Sequence, residues 1–552
     1  HDRRLRQSEV SAYTENTERT ETGSEVTMAE DPDLKISYVT DVEGHWVYFC
    51  NYVELSSCLR FEEPGDHRGD CSTSGSRLVL ADGWRFVYGG DCTDKGPWGL
   101  HFVRTMVNLK KRYPRRVYLI IGNRDINKMR FTSELTQTEV ARLHEQPKPF
   151  WVEQPENIPA PLDYIRSLAS KGEGIGVKDV SDELVQRYNT RSNRLKWMLI
   201  HTMGSDSDFN FRRAELARER SVELAAVSDA EVAESFIKSV EAGGCVREYL
   251  QMGQLVAILG GTLFVHGQLI SNKYMYLPGS HWAVGVVPQA TPEEAKRAKT
   301  SIHAWELLLN AWAARQVHQW IRQPEWGRPP ADVTCEAWAD RGGSHLIAYG
   351  TPGSLEASVV YGRWLEETSM PKKYPPDLVV YLKEQGVCRV IVGHTPHGNC
   401  PTVIRHHGGL KVIMADTSFS QVRSNAAFKG DNRGASVCEV LVDGPLCRVH
   451  GRIDKDTLVE EVVDGTDEDM NLGNVFVDGK KAGFFVKARL QNRQGKVEYL
   501  LCRMDGRKIS YEITSKKGLP LTRPSPSPAQ SGLAVLRAMP GLMKWKERAQ
   551  ER

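Results

Sequence analysis

No stretch of this 552-residue chain holds the roughly 20 uninterrupted apolar residues that a membrane-spanning helix requires, so no membrane association is expected. Its eleven cysteines are odd in number, scattered, and include no Cys-x-x-Cys pair, a usage that fits free thiols in a reducing compartment. Net charge is almost absent: 72 Lys and Arg stand against 70 Asp and Glu, giving +2, so no global field draws the chain to nucleic acid or lipid. An aromatic-basic stripe of the kind that binds nucleic acid is missing as well. The first 27 residues are rich in Arg, Glu, Ser and Thr, lack the apolar centre of a secretory signal, and carry too many acids for a transit peptide. Cytoplasm is therefore the expected compartment, with mitochondrial matrix and nucleus as alternatives. What is present, 40% hydrophobic and 26% charged residues, is the balance of a globular protein long enough for a large core and more than one structural unit.

Taken in order, the chain predicts a polar leader over residues 1–33 and then a strand, Leu34 to Val39, running into Thr40-Asp41-Val42-Glu43-Gly44-His45. An apolar segment, Trp46 to Leu59, reads as a helix packed on a sheet, and 64–76 as an exposed loop. The strand Trp84–Tyr88 then delivers Gly89-Gly90-Asp91-Cys92-Thr93-Asp94-Lys95-Gly96, and helical spacing follows at Leu100, Val103 and Val107. A third strand, Arg116–Ile121, ends in Gly122-Asn123-Arg124-Asp125. This βαβ rhythm gives way to helical insertions at about 132–260 and 270–385. Ser228-x-x-Glu231 and Thr291-Pro292-x-Glu294 have the spacing of helix N-termini, and the Trp-rich stretch 302–321 reads as core. Between and after the insertions, strands end in His266-Gly267, in Gly393-His394-Thr395, and in Asp416. Residues 436–515 alternate like short strands joined by Asp-Gly and Gln-Gly turns, which predicts a small β-rich unit. A Pro/Ser linker and tail occupy 516–552.

Five apolar strands thus each end in a short polar word. In open α/β sheets the loops at the carboxyl ends of strands converge on one crevice, so these words are expected to meet. Carboxylate, amide and imidazole ligands in that mixture suit a pair of divalent ions, which together clamp the oxygens of an in-line phosphoryl displacement.

In order and spacing the words resemble the calcineurin-like metallophosphoesterase superfamily, in particular its phosphoprotein phosphatase and diadenosine tetraphosphatase branch. The family pattern is Gly-Asp-x-His-Gly, Gly-Asp-x-x-Asp-Arg-Gly, Gly-Asn-His-Glu, His-Gly and Gly-His-Thr. The resemblance implies an α/β β-sandwich flanked by helices over residues 34–425, and two divalent ions, Mn foremost, with Fe, Zn or Mg as the other candidates. By position it puts the first ion on Asp41, Glu43 and Asp91, and the second on Asp91, Asn123, His266 and His394, with Asp91 bridging. It puts Lys95 in place of a phosphate-contacting arginine and Asp94 in place of the acid that orients the proton donor.

Two departures stand out. Glu43 occupies a histidine position, which makes the first site all-carboxylate and tilts it toward Mn or Mg; His45, two residues on, is a candidate substitute. Arg124 occupies the position of the proton-donating histidine, and a guanidinium does not titrate. Arg124 is then expected to clamp phosphate, while His45 or His397 supplies the proton, or the leaving group needs little protonation. Arg363 and Arg341 are further candidates for contact with a substrate phosphate. The expected function is hydrolysis of a phosphorylated protein or a nucleotide, by a two-ion phosphatase. The alternative is a noncatalytic scaffold or assembly subunit of the same fold, using the insertions, the C-terminal β unit or the tail to bind protein partners.

Overall fold

The computed structural model of the chain describes residues 33–519 except 152–156, 271–281, 333, 353–356, 367–369, 418–435, 455, 477–478 and 506–507. The expected leader, apart from Asp33, and the tail beyond Leu519 lie outside the described residues.

Strand β1 (Lys35–Val39) is followed by helix α1 (Trp46–Leu55), the short hairpin strands β2 (Leu59–Phe61) and β3 (Leu78–Leu80), β4 (Trp84–Tyr88), α2 (Gly99–Arg112) and β5 (Val117–Leu119). α1 is shorter than its apolar run predicts. Ser56 turns the backbone to extended geometry, and its hydroxyl meets the amides of Cys58 and Leu59, so the last apolar residues start β2 instead. β1, β4 and β5 pair in parallel with Ile36 beside Arg85 and Phe86 beside Val117. The next strands are β6 (Val256–Leu259), β7 (Thr262–Val265), β8 (Arg389–Val392), β9 (Thr402–Arg405) and β10 (Lys411–Met414). They form a second sheet in the order β6-β7-β8-β10-β9, in which β7, β8 and β10 run parallel.

Alternation along each parallel strand makes the two sheets a sandwich. Ile36, Tyr38, Val87 and Ile120 of the first sheet share one core with Phe264, Ile391 and Ile413 of the second, and the Tyr38 and Phe264 rings stack at 5.6 Å. Their neighbours Val39, Phe86, Tyr88, Leu263, Val390 and Val412 point the other way into a core shared with the helices. Each such side chain removed from water contributes about 1.5–3 kcal/mol. The chain is therefore a mixed α/β protein of two sheets flanked by helices.

Strands β11 (Val437–Asp443), β12 (Leu446–Arg452), β13 (Thr457–Asp464), β14 (Phe485–Asn492), β15 (Val497–Asp505) and β16 (Lys508–Thr514) occupy the stretch expected as a small β-rich unit. They extend the first sheet into nine strands, because β11 pairs antiparallel with the free edge of β1, Ile36 opposite Val442. The insertions are helical. The Ser228 and Thr291 capping boxes form with both reciprocal hydrogen bonds, and Trp305, Trp312 and Trp320 are buried. All eleven cysteines are free, and no helix among the described residues is long and apolar enough to cross a membrane.

Candidate metal centre

Six parallel strands, three from each sheet, aim their carboxyl ends at one place. The loops after β1, β4, β5, β7 and β8 bring Asp41, Glu43, Asp91, Asn123, His266 and His394 together, and the loop after β10 adds Asp416. They meet at a cleft of about 460 Å³ whose wall also carries Lys95, Arg124, Tyr361 and Arg363. Asp416 stands at the end of a strand but has no counterpart in the motif pattern, so sequence alone offers no reason to place it with the others.

The backbone is bent hard to achieve this. Among the described residues, eight other than glycine have positive φ, and five of them, Asp41, Glu43, Asp91, Asp94 and His394, belong to this centre. Each such residue costs of order 1–3 kcal/mol and persists only where surrounding contacts hold it, the mark of a functional site. Two glycines make room for the carboxylates. A Cβ at Gly122 would lie 2.1 Å from Asp91 Oδ1, and one at Gly393 would lie 2.3 Å from Asp41 Oδ2. Behind them Asp125 accepts hydrogen bonds from the amides of Gly122, Asp91 and Cys92, tying the second and third loops together.

One half of the centre is arranged as a cation site. His266 Nδ1 lies 2.8 Å from the Gly89 carbonyl, to which it donates. A neutral ring then presents the lone pair of Nε2 to Asn123 Oδ1 at 3.2 Å and Asp91 Oδ1 at 3.3 Å, two further acceptors. Such an arrangement demands a positive charge. Burial opposes protonation of His266, yet Asp91 beside it lifts its pKa to about 10, so the charge comes from a proton or from a metal. His394 sits opposite, its ring 5.1 Å from that of His266 and tied to the Tyr361 backbone, with Nε2 buried and without a partner. Burial, followed by the charge of Arg363, holds His394 well below the usual histidine range, which keeps it a neutral donor. Ligand atoms of Asp91, His266 and His394 all lie within 4.8 Å of one another. These residues fit a divalent metal with mixed oxygen and imidazole ligands.

The other half is different. Arg124 Nε is 2.8 Å from Glu43 Oε1 and 3.4 Å from Asp91 Oδ2, while Nη1 is 3.1 Å from Asp94 Oδ2. The guanidinium lies among the acids expected to hold the first ion, where Glu43, Asp94 and Asp91 outweigh burial and hold it firmly charged. It does not stand free in the cleft as an expected phosphate clamp. Asp41 is engaged by the Thr40 hydroxyl at 2.5 Å and the His394 amide at 3.1 Å, and burial, then Asp416, raise its pKa well above the carboxylate range.

Asp94 lies beneath this pair rather than on the cleft wall. It accepts from Lys128 Nζ at 2.5 Å and Ser205 Oγ at 2.7 Å, and those partners with Arg124 override burial and hold its pKa low. Lys128 went unnoticed in the sequence, although it sits one helical turn beyond Arg124 on the same face. Lys95 lines the cleft with its ammonium 3.0 Å from the Gly204 carbonyl, and Arg363 is exposed there with its guanidinium over the Tyr361 ring. His45 stands at the N-cap position of α1 without a side-chain capping hydrogen bond; His397 is buried against Thr402 and Phe485. Neither His45 nor His397 is among the described residues that line the cleft. Arg341 is buried on Glu134 and Ser133, far from any role on phosphate. A second acid cluster, Cys71, Glu215 and Glu219, has its carboxylates taken up by Arg104 and Arg212.

Neither a protein-family description nor a curated protein matches the chain. Among solved structures it is similar to a cold-active protein-tyrosine phosphatase of a psychrophilic Shewanella, at 12% identity and a TM-score of 0.31 over 78% of this chain and 85% of that one. It is also similar to a Saccharomyces cerevisiae serine/threonine phosphatase described as resembling human phosphatase PP5, at 11% identity and a TM-score of 0.27 over 90% of this chain and 82% of that one. Likeness at this level says nothing by itself about chemistry.

Proposed function

We propose that the protein is a metal-dependent phosphoester hydrolase acting on a phosphorylated protein or a nucleotide. The observation that carries this reading is the convergence of Asp91, Asn123, His266 and His394, with His394 Nε2 buried and unpartnered at the floor of an open cleft. These four residues would hold a divalent ion, and their mixed oxygen and imidazole donor set suits Mn, Fe or Zn. Bound there, such an ion supplies Lewis-acid charge at a phosphoryl oxygen and activates water for attack.

The chain's own residues do the rest. Lys95 and Arg363 present cations on the wall to hold phosphate oxygens, and the Gly89 and Tyr361 carbonyls fix the two imidazoles in the tautomers that leave Nε2 open. Among the described residues of the cleft wall, His394 is the one imidazole, and it is committed to the centre. With that imidazole committed, a leaving group that needs little protonation, such as an aryl phosphate or a phosphoanhydride, suits the site best. Arg124 among the acids favours the scaffold reading instead.

The two readings part in one experiment. Purified protein is assayed for bound metal and then for turnover of p-nitrophenyl phosphate with added Mn, with Asp91→Asn as control. Hydrolysis that depends on Mn and is lost in the variant is expected, with rates rising steeply as leaving-group pKa falls across substituted phenyl phosphates. Retained metal without turnover of any phosphoester would leave only the scaffold.

A further inference from the structure

We infer that this centre takes a single divalent ion, with the Arg124 guanidinium standing permanently where a second ion would otherwise sit. This rests on the hydrolase reading only in that it concerns the same centre.

Asp91 shows the division. Its Oδ1 faces His266 Nε2 and accepts from the Arg124 amide at 2.9 Å, while its Oδ2 faces Arg124 Nε. The carboxylate that would bridge two ions therefore already has a cation on one side. That cation also holds Glu43 and Asp94, so three acids from two loops converge on one guanidinium that is only 16% exposed. Lys128, buried on Asp94, adds a further positive charge beneath it. Placing a divalent ion among Asp41, Glu43 and Asp91 would require the guanidinium to leave the three carboxylates that hold it and to be left buried beside a dication or driven out of its seat. Breaking a buried ion pair from one side is strongly unfavourable.

The two departures from the motif pattern are in direct contact, Glu43 Oε1 to Arg124 Nε at 2.8 Å. An imidazole at position 43 would take from Arg124 the nearest of its three anionic partners, and an imidazole at position 124 would leave Glu43 buried without its cation. Each residue makes sense given the other. They form one unit, a fixed monovalent cation of planar geometry, and its charge needs no loading from solution. The half of the centre built from Asp91, Asn123, His266 and His394 keeps an unpartnered imidazole nitrogen; the other half has had its charge supplied by the chain.

The test counts ions. The full-length protein is stripped with chelator, reloaded with Mn, freed of excess, and measured by elemental analysis and by electron paramagnetic resonance. A single ion per chain with an uncoupled spectrum is expected, and two ions with an exchange-coupled spectrum in the double variant Glu43→His/Arg124→His. Two ions in the wild-type protein would overturn the inference and leave the hydrolase reading standing; no retained ion would overturn both. A double variant that folds yet still binds a single ion would also overturn the inference. If the double variant does not fold, the wild-type count and spectrum decide it alone, and Arg124→Ala, which removes the guanidinium without adding a ligand, is expected to loosen Glu43 and admit a second, weaker ion.

Discussion

Asp208 is a carboxylic acid with little reason to ionise. It begins helix α3 (Asp208–Arg220), its Oδ2 is buried without a partner, and burial together with the charge of Asp94 pushes its pKa up to about 8. In the unfolded chain it titrates near 3.9. Between those values the native state holds a proton that the unfolded state has lost, so stability is fully present below about pH 4 and declines as pH rises through 8. Asp208→Asn should match the wild type at pH 4 and exceed it at pH 9 by about 1–3 kcal/mol. Urea denaturation at the two pH values checks this, and a difference that does not change with pH would refute it. At this scale residue type alone can mislead. Arg341 reads as a candidate phosphate contact, yet it is buried on Glu134. Charge is written in the sequence, whereas burial depends on which distant element covers it.

Among elements, the turn from β5 into the short helix Asn123–Asn127 carries the most consequence for the centre. Gly122→Ala would drive a methyl group into Asp91 Oδ1, so Asp91 or the whole loop has to shift. The expected result is a loss of about 1–3 kcal/mol of stability together with most of the metal retained by the wild type. Gly386→Ala is the matched control. Its φ is +78° but nothing lies within 4 Å of the added carbon, so it should cost about 1 kcal/mol and leave metal content intact. Calorimetry and elemental analysis on both variants separate a lost site from a merely weaker fold. The strand-to-loop words were legible because glycine and carboxylate at a strand end have few structural alternatives. The fate of Arg124 was not, since the length and aim of its side chain bring it to Glu43, 81 positions away, only once β1 and β5 are in the same sheet.

For the whole molecule, the seam between β1 and β11 joins the first and last parts of the described chain. Glu439 on β11, itself buried, accepts from the hydroxyls of Ser37 and Ser56 and from the Ser57 amide. A protein ending at residue 436 would expose the edge of β1, strand those groups and uncover the core around Ile36 and Tyr38. It should accumulate as insoluble material, whereas a fragment that stays soluble with native circular dichroism would show that β11–β16 are dispensable. The sequence by itself determined the six parallel strands, because short apolar runs ending at polar turns read as strands buried in a sheet, and it determined the loop words that follow them, because those residues are adjacent in the chain. Three things were decided only by tertiary structure: the joining of β11 to β1, the arrival of Asp416 on the sixth converging loop, and the seating of the Arg124 guanidinium among Glu43, Asp91 and Asp94. Each depends on distances between residues remote in sequence, and those exist only after the sheets have packed.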